Sequence, residues 1–480
     1  MRRIMILVVL IAFAMSAAAQ TFQDFLDRVN SAPDSLRGAI VDSFMNAAGS
    51  FPHIEGNTLT HFIYRTAANS ATVPGDANNW NTAAFVMIRI SATDFWYYSR
   101  EFESDARLDY KFFLNGSAWI LDPLNPYTCI GGFGPNSELR MPQYVMPPEI
   151  AEYPQMPHGT LHDTLFYSSN MHNSRTVRVY TPAGYEESSE PYPVVLVHDG
   201  LEYVSLAKMD NVLDYLIAHQ RIRPMISVFV PPVDRTREYA GDLMDEFTAF
   251  IVQELFPWLD ARYRTLTDAQ NRATLGASNG GNIALWLGIE HPEVFGNIAA
   301  QSSNVITSVS NRLQVDPQLA LRFHLDLGTY DIPALIPLVR NLVQILQQRN
   351  YDYRHCEYHE GHSWGNWRAH IDNALEMFFP GDSATAVSIS PLPELFRVLR
   401  SYPNPFNATT TISFTLSEPQ KVRLEVFDVQ GRLVATLVDS PMTAGAHEVA
   451  FDGRELSSGT YFCRLTSGPD MLTQKMTLLK

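Results

Sequence analysis

The stretch Thr274-Leu275-Gly276-Ala277-Ser278-Asn279-Gly280-Gly281 sets the tightest limit on what this 480-residue chain can fold into. An apolar strand runs into a sharp turn with a serine at its apex, and a helix follows at once. The two backbone arms of such a turn pass too close together for side chains, a need that Gly276 and Gly280 answer. A serine hydroxyl attacks a carbonyl only when its oxygen stands clear of the sheet and a base can take its proton. Because the helix starts at Ser278, its first free N–H groups and the positive end of its dipole face any oxyanion formed in the attack. Ser278 is therefore the candidate nucleophile and the Asn279 N–H a candidate oxyanion donor. The five-residue pattern also describes a glycine-rich turn without chemistry, so the base and acid have to come from elsewhere.

The flanking sequence supplies the scaffold. Tyr192–Val197 is a continuous apolar run of the kind that fills a central parallel strand. Helical and strand patterns then alternate: helix 206–219, strand 225–230, helix 246–260, strand 272–275, helix 281–291, strand 323–327, helix 332–348 and a helix after Trp367. The fold class is α/β, a doubly wound sheet in which ligands sit at the carboxyl ends of the strands. Acid and base follow the serine in chain order. Leu325-Asp326-Leu327-Gly328-Thr329-Tyr330-Asp331 reads as a strand ending in a turn, which favours Asp331 over the in-strand Asp326 as the acid. His359-Glu360-Gly361-His362-Ser363-Trp364-Gly365-Asn366-Trp367 gives His362 as the base, with His359 as its competitor. No carboxylate or cysteine pattern completes a zinc site with His355, His359 and His362, so the reading holds no metal and no cofactor. The loop His198-Asp199-Gly200-Leu201-Glu202-Tyr203 offers the second oxyanion donor, from the N–H of Gly200 or Leu201. Tyr203, Arg237, Trp364 and Trp367 are the candidate substrate contacts.

The formal charge of −16 argues against nucleic acid or an anionic membrane surface as a partner, since both need a basic footprint. Met1-Arg2-Arg3, the apolar run Ile4–Ala14 and the small residues at 16–19 read as a secretory signal over 1–19, and no later run is of membrane-spanning length. Cys129, Cys356 and Cys463 fall in three different segments, which speaks against a disulfide framework. Residues 20–50 form a short helical cap of two amphipathic helices. Over 51–146 short alternating runs at 60–66, 82–90, 106–114 and 119–121 predict a β-sandwich. Residues 147–380 hold the α/β domain, 381–398 a Ser/Ala/Pro linker and 399–480 a second all-β unit.

Three resemblances attach to these segments. Val73-Pro74-Gly75-Asp76-Ala77-Asn78-Asn79-Trp80, with Asp109–Gly116 and Trp119–Pro123, resembles the glycogen-binding-type immunoglobulin-like (E-set) modules of carbohydrate-active enzymes. That resemblance implicates Trp80, Lys111 and Asn115 in glycan binding, although Ala77 stands where the family carries an aromatic; a sandwich that only shapes the neighbouring cleft is the other reading. Tyr402–Asn407, Val426–Arg432 and Ser458–Phe462 resemble the C-terminal sorting domain of type IX secretion, which implies that machinery as a partner and a secreted or cell-surface product passing the periplasm and outer membrane. Residues from about 176 to 379, through Arg237-Glu238-Tyr239, Glu254–Leu259, Gly276–Gly281, His291–Gly296, Gly328–Asp331 and Gly361–Trp364, look like the esterase D-like α/β-hydrolases, which include enterochelin, feruloyl and acetyl xylan esterases. The family's triad falls on Ser278, Asp331 and His362. The resulting expectation is a secreted serine carboxylic-ester hydrolase that removes feruloyl or acetyl groups from a polysaccharide. A siderophore trilactone esterase and a non-catalytic glycan-binding surface protein are the alternatives.

Overall fold

The computed structural model describes residues 21–132, 134–381, 396–402, 406–416, 419–428, 432–443, 445–454, 456–467 and 470–478. The secretory signal read at 1–19 and nearly all of the 381–398 linker lie outside them. The chain divides into two compact units, 1–383 and 384–480. Among the described residues, no helix is long and apolar enough to cross a membrane.

In the first unit the parallel strands Ile226–Val230, Val194–His198, Arg272–Ala277, Asn297–Gln301, Arg322–Tyr330 and Asp352–Gly361 lie side by side in that order. Val194–His198 is buried at every position, as its unbroken apolar run requires, and it pairs in parallel with the strands on both sides. The hairpin Thr160–Ser168/Asn173–Thr181 extends this sheet antiparallel at one edge. Helices cover both faces: Val212, Leu213 and Leu216 close one core with Leu375 and Phe378, while Val339, Leu342 and Leu346 close another with Leu325 and Leu327.

Several elements depart from the sequence expectation. The helix expected over 206–219 spans Met209–Ala218, and a separate short helix, Gly200–Ser205, precedes it; Lys208, with φ of 56°, turns the chain between them. The strand Asn297–Gln301 and the helix Thr307–Val315 lie between elements that were foreseen. In the N-terminal region Phe95–Glu101 is a strand paired along its length with Leu59–Arg65, whereas of 82–90 only Ile88–Arg89 pairs as a strand. The two N-terminal helices, Phe22–Ser31 and Asp34–Ala47, pack Phe22, Phe25, Val29 and Val41 on Ile63 and Phe95 of that sheet.

The N-terminal strands also reach the central sheet. Arg107–Tyr110, Gly134–Arg140 and Thr128–Gly131 continue it beyond Asp352–Gly361, through a parallel pair between Glu360 and Arg107, into one sheet of eleven strands. The second unit is a β-sandwich: a three-stranded sheet (Phe396–Tyr402, Thr409–Leu416, Gly445–Asp452) and a four-stranded sheet built on Gln420–Asp428 share a core of Ile412, Phe414, Val422, Leu424, Cys463 and Leu465.

Two histidines in the central strands are neutral because burial strips the charged form of water: His198 and His324 are both pulled down to about 3. Their folded-state values lie below the unfolded value near 6.5, so the unfolded chain binds more protons as pH falls through that window. We predict that the unfolding free energy of the intact protein, from urea titrations, falls as pH is lowered from about 6.5 towards 3. The double variant His198→Gln/His324→Gln should show a shallower fall; an equal slope in both proteins would contradict this origin.

Candidate active site

Strand Arg272–Ala277 delivers Ser278 to a turn with φ 56° and ψ −122°, and the helix Asn279–Glu290 leaves directly from it. A positive φ at a non-glycine residue is strained and persists only where the surroundings fix it. Here the Ser278 N–H donates to Gln301 O at 2.9 Å, and Ser278 O accepts from the N–H groups of Asn304 and Asn282 at 3.1 and 3.2 Å. A Cβ at Gly276 would collide with the carbonyl of Gly280, so only glycine lets strand and helix pass this closely. Ser278 is half-buried and opens into a cleft of about 940 Å³. Asn279 begins the helix, where N–H groups have no intrahelical acceptor; its side chain is held by Asn304, whose Nδ2 donates to Oδ1 at 2.8 Å.

His362 lies in the same cleft. Its Nδ1 is 2.7 Å from Oδ1 of Asp331, whose side chain is fully buried and also accepts the Ile332 N–H at 2.7 Å. An ionised carboxylate only accepts, so the imidazole donates from Nδ1 and leaves Nε2 open to receive a proton. The edge of Trp367 stands against the ring, centroids 5.0 Å apart at 89°. Among the described residues no hydrogen bond joins Ser278 to His362; nucleophile and base share the cleft, and such bonds are commonly long in unliganded sites. The two competitors lie elsewhere. His359 pairs with Asp105 at 2.7 Å on an exposed face, and buried Asp326 accepts from Gln301 Nε2 at 3.0 Å, its carboxyl pushed up to about 7 by burial.

Gly200 and Leu201 open the short helix Gly200–Ser205, between Asp199 and Glu202, which both line the cleft. The N–H groups of Glu202 and Tyr203 bond to Asp199 O at 3.0 Å, so those of Gly200 and Leu201 precede the first intrahelical bonds. Asp199 is clamped by Arg235 through Nε at 2.7 Å and Nη2 at 2.8 Å.

Of the candidate substrate contacts, Trp364 and Trp367 line the cleft, whereas Tyr203 and Arg237 do not. Tyr203 is fully buried and donates its hydroxyl to Gln301 Oε1 at 2.8 Å, so it supports the site from behind. Arg237 points into solvent and pairs with Asp242 at 2.7 Å; the arginine at the cleft is Arg235. Of the glycan candidates, Trp80 and Lys111 line the same cleft as Ser278. Asn115 sits instead at a turn with φ 51°, its Oδ1 accepting the Asn69 N–H at 2.8 Å. Trp119, Asp76, Asp109, Asn136, Glu202 and Tyr330 also line the cleft and were not foreseen there. Asp76, Asp109, Trp119, Glu202 and Tyr330 stand within the stretches that carry the motifs without being singled out there, and nothing local marked Asn136. Among the described residues no group of three or more His, Cys, Asp or Glu side chains could hold a metal ion.

The N-terminal strands brace the histidine loop through a buried guanidinium. Arg107, fully inaccessible, donates from Nη1 to Ser363 Oγ at 2.9 Å and from Nη2 to Asp109 at 2.6 Å and Glu138 at 2.9 Å. A Cβ at Gly365 would strike that guanidinium, and one at Gly361 would strike the Asp76 carboxyl. Burial first and the neighbouring Asp109 carboxyl second push the Asp76 carboxyl up to about 8.

Residues 168–378 match the esterase family, and residues 400–478 match the secretion system C-terminal sorting domain. An iron(III) enterobactin esterase of Escherichia coli O6:H1 is 27% identical over 243 residues, 45% of this chain and 60% of that protein. An endo-1,4-beta-xylanase/feruloyl esterase of Xylanibacter ruminicola is 28% identical over 151 residues, 29% of this chain and 21% of that protein. The chain thus spans less than two thirds of the length of each of these two relatives. The protein YjcH of Bacillus subtilis is 27% identical over 233 residues, 45% of this chain and 97% of its own length. The crystal structure of the enterobactin esterase from Shigella flexneri superposes with a TM-score of 0.60 at 22% identity, covering 70% of this chain and 97% of that one, a likeness of fold.

Removing Arg107 would leave Asp109 and Glu138 as buried, under-compensated charges. Arg107→Met is predicted to lower stability by about 3 kcal/mol, read by chemical denaturation, because a buried pair broken on one side costs about that much. A change under about 0.5 kcal/mol, the range of ordinary surface substitutions, would contradict this role.

Proposed function

With residues 168–378 an esterase-family domain, we propose that the chain is a secreted serine carboxylic-ester hydrolase that removes feruloyl or acetyl groups from a polysaccharide. The observation that carries the catalytic part is the 2.7 Å bond from His362 to buried Asp331 in the cleft that also holds Ser278 on its strained turn. His362 Nε2 takes the proton from Ser278 Oγ, which attacks the acyl carbonyl. The N–H groups of Asn279 and of Gly200 or Leu201 bind the resulting oxyanion, at on the order of 3 kcal/mol per donor. His362 then returns the proton to the alcohol oxygen, the alcohol leaves, and water activated by the same imidazole releases the acid from Ser278. Asp331 holds the tautomer that makes this possible. No cofactor enters.

The polysaccharide part rests on the lining of the cleft and on the sorting domain. Trp80, Trp119, Trp364 and Trp367 give it four indoles. Its charged lining leans acidic: Asp76, Asp109, Asp199 and Glu202 stand against Lys111 and Arg235, and Arg235 is committed to Asp199. A neutral sugar ester suits such a cleft better than a ferric tricatecholate, whose negative charge calls for a cluster of cations. The siderophore reading draws on the likeness to the Shigella esterase, which extends over 70% of this chain. The sorting domain at 400–478 supports delivery to the cell surface or beyond, and the segment 1–19 supports entry to the periplasm first.

The test is hydrolysis of methyl ferulate, 4-nitrophenyl acetate and a ferric tricatecholate trilactone by the same preparation. Ser278→Ala should abolish turnover of the first two, and Asp331→Asn should lower kcat by about 10⁴-fold, the size expected when the base loses its tautomer. Turnover surviving in Ser278→Ala would end the mechanism. Preference for the trilactone would replace the polysaccharide reading with the siderophore one.

A further inference from the structure

Asp199 stands directly ahead of the helix Gly200–Ser205 without capping it, and we propose that Arg235 is a positioning residue for the oxyanion site: its guanidinium draws the Asp199 carboxylate off the N–H groups that follow and so leaves those of Gly200 and Leu201 free for the oxyanion. This rests on the serine-esterase reading and deepens it. An aspartate just ahead of a helix ordinarily turns its carboxylate back onto the N–H groups two and three residues on, here those of Leu201 and Glu202. In this place such a cap would occupy a donor that the reaction needs and set a negative charge where the oxyanion forms.

The carboxylate is engaged outside that helix. Its Oδ1 accepts Arg235 Nε at 2.7 Å and its Oδ2 accepts Arg235 Nη2 at 2.8 Å, the two-bond fork by which a guanidinium fits a carboxylate. The backbone of Asp199 is fixed as well. Its φ of 52° and ψ of 38° lie in the left-handed region, which a non-glycine residue keeps only under constraint, and its N–H donates to Tyr239 Oη at 3.0 Å. A Cβ at Gly280 would come within 2.8 Å of Asp199 Oδ2, so the carboxylate lies against the helix that leaves Ser278. Arg235 is also anchored to the serine turn, its Nη2 donating at 3.2 Å to the carbonyl of Ala277, the residue before Ser278. One guanidinium therefore joins the ends of two neighbouring parallel strands, the one that leads to Gly200 and the one that leads to Ser278. The helix that carries Arg235 shows the ordinary arrangement: Asp234 precedes it, and its side chain accepts the Arg237 N–H at 3.2 Å. Asp199 departs from that arrangement where an arginine faces it.

The experiment measures kcat and KM, for whichever of the three esters above is turned over fastest, in the full-length protein and in Arg235→Met, Arg235→Lys, Asp199→Gly and Arg235→Met/Asp199→Gly, with urea midpoints to show that each variant folds. Glycine accepts the left-handed backbone and has no side chain to cap with. Arg235→Met should lower kcat on the order of 100-fold, the size expected for loss of one oxyanion donor, with KM little changed. The double variant should be faster than Arg235→Met, on the order of tenfold, because the released carboxylate is gone and the donor is free again. An arginine that served stability alone predicts the reverse, since the second substitution would add its own damage. Arg235→Lys keeps a cation on Asp199 without the fork and should lie between the unaltered protein and Arg235→Met in kcat; its kcat and KM decide the matter if Arg235→Met does not fold. A double variant no faster than Arg235→Met, or a loss carried by KM, overturns the assignment, the latter by making Arg235 a substrate contact. If the unaltered protein turns over none of the esters through Ser278, the esterase reading itself fails and takes this assignment with it; turnover that is intact there and indifferent to Arg235 ends this assignment alone.

Discussion

One buried cation, the Arg107 guanidinium, holds together two parts of the chain that sequence keeps 256 positions apart. A fully inaccessible guanidinium needs acceptors and compensating charge, and although Nε finds no acceptor among the described residues, those of Nη1 and Nη2 come from both parts: Asp109 and Glu138 on N-terminal strands, and Ser363 beside the candidate base. Ser363 in turn caps the helix Trp364–Arg368, accepting the Asn366 N–H. The position of His362 is thereby fixed from both neighbours in sequence, by Arg107 through Ser363 and by Asp76 against Gly361. The single backbone pair Glu360–Arg107 would not by itself hold two sheets in register; the buried network does that.

This attachment explains why the cleft has the shape it has. A doubly wound sheet binds its ligand above the carboxyl ends of its strands, and by itself that surface is open. Here the N-terminal strands continue the sheet past its last parallel strand and raise Trp80, Lys111 and Trp119 opposite Glu202 and Arg235. A shallow crevice becomes a two-walled cleft large enough for more than an acyl group. Asp76 belongs to the same junction: buried beside Asp109, its carboxyl is pushed well above the usual carboxylate range.

Much of this was legible in the chain. The elbow at 276–280, the apolar strand at 192–197 and the serine, aspartate, histidine order follow from rules that act over a few residues; Ser278 and His362 open into one cleft, and Asp331 is buried behind His362. Elements that break the local rules were not legible. Asn297–Gln301 is a central strand made of Asn, Ile, Ala, Ala and Gln, which carries little β-branched signal and owes its place to neighbours on both sides. Asp352–Gly361 is largely polar and only half-buried, being the last parallel strand, so alternation is faint along it. That Arg235 and not the expected Arg237 reaches the cleft depends on which face of a six-residue helix meets Asp199, and the joining of two sheets through Arg107 depends on contacts that no window of sequence contains.

Buried polar residues that touch no substrate tie the site into one body, and Gln301 is their hub. Its carbonyl accepts the Ser278 N–H, its Oε1 takes the Tyr203 hydroxyl, and its Nε2 donates to Asp326 and to Trp367 O. The four partners belong to the serine turn, the helix Gly200–Ser205, the strand that leads to Asp331 and the helix that follows His362. A side-chain amide suits this place because it has both a donor and an acceptor to satisfy at once, without charge, in a site 2% exposed. Strain at Ser278 is thus balanced by bonds to the elements that carry the other reacting groups. Catalytic geometry and local stability are here the same set of contacts, since an ångström of slack at the elbow would have to be taken up at the base as well.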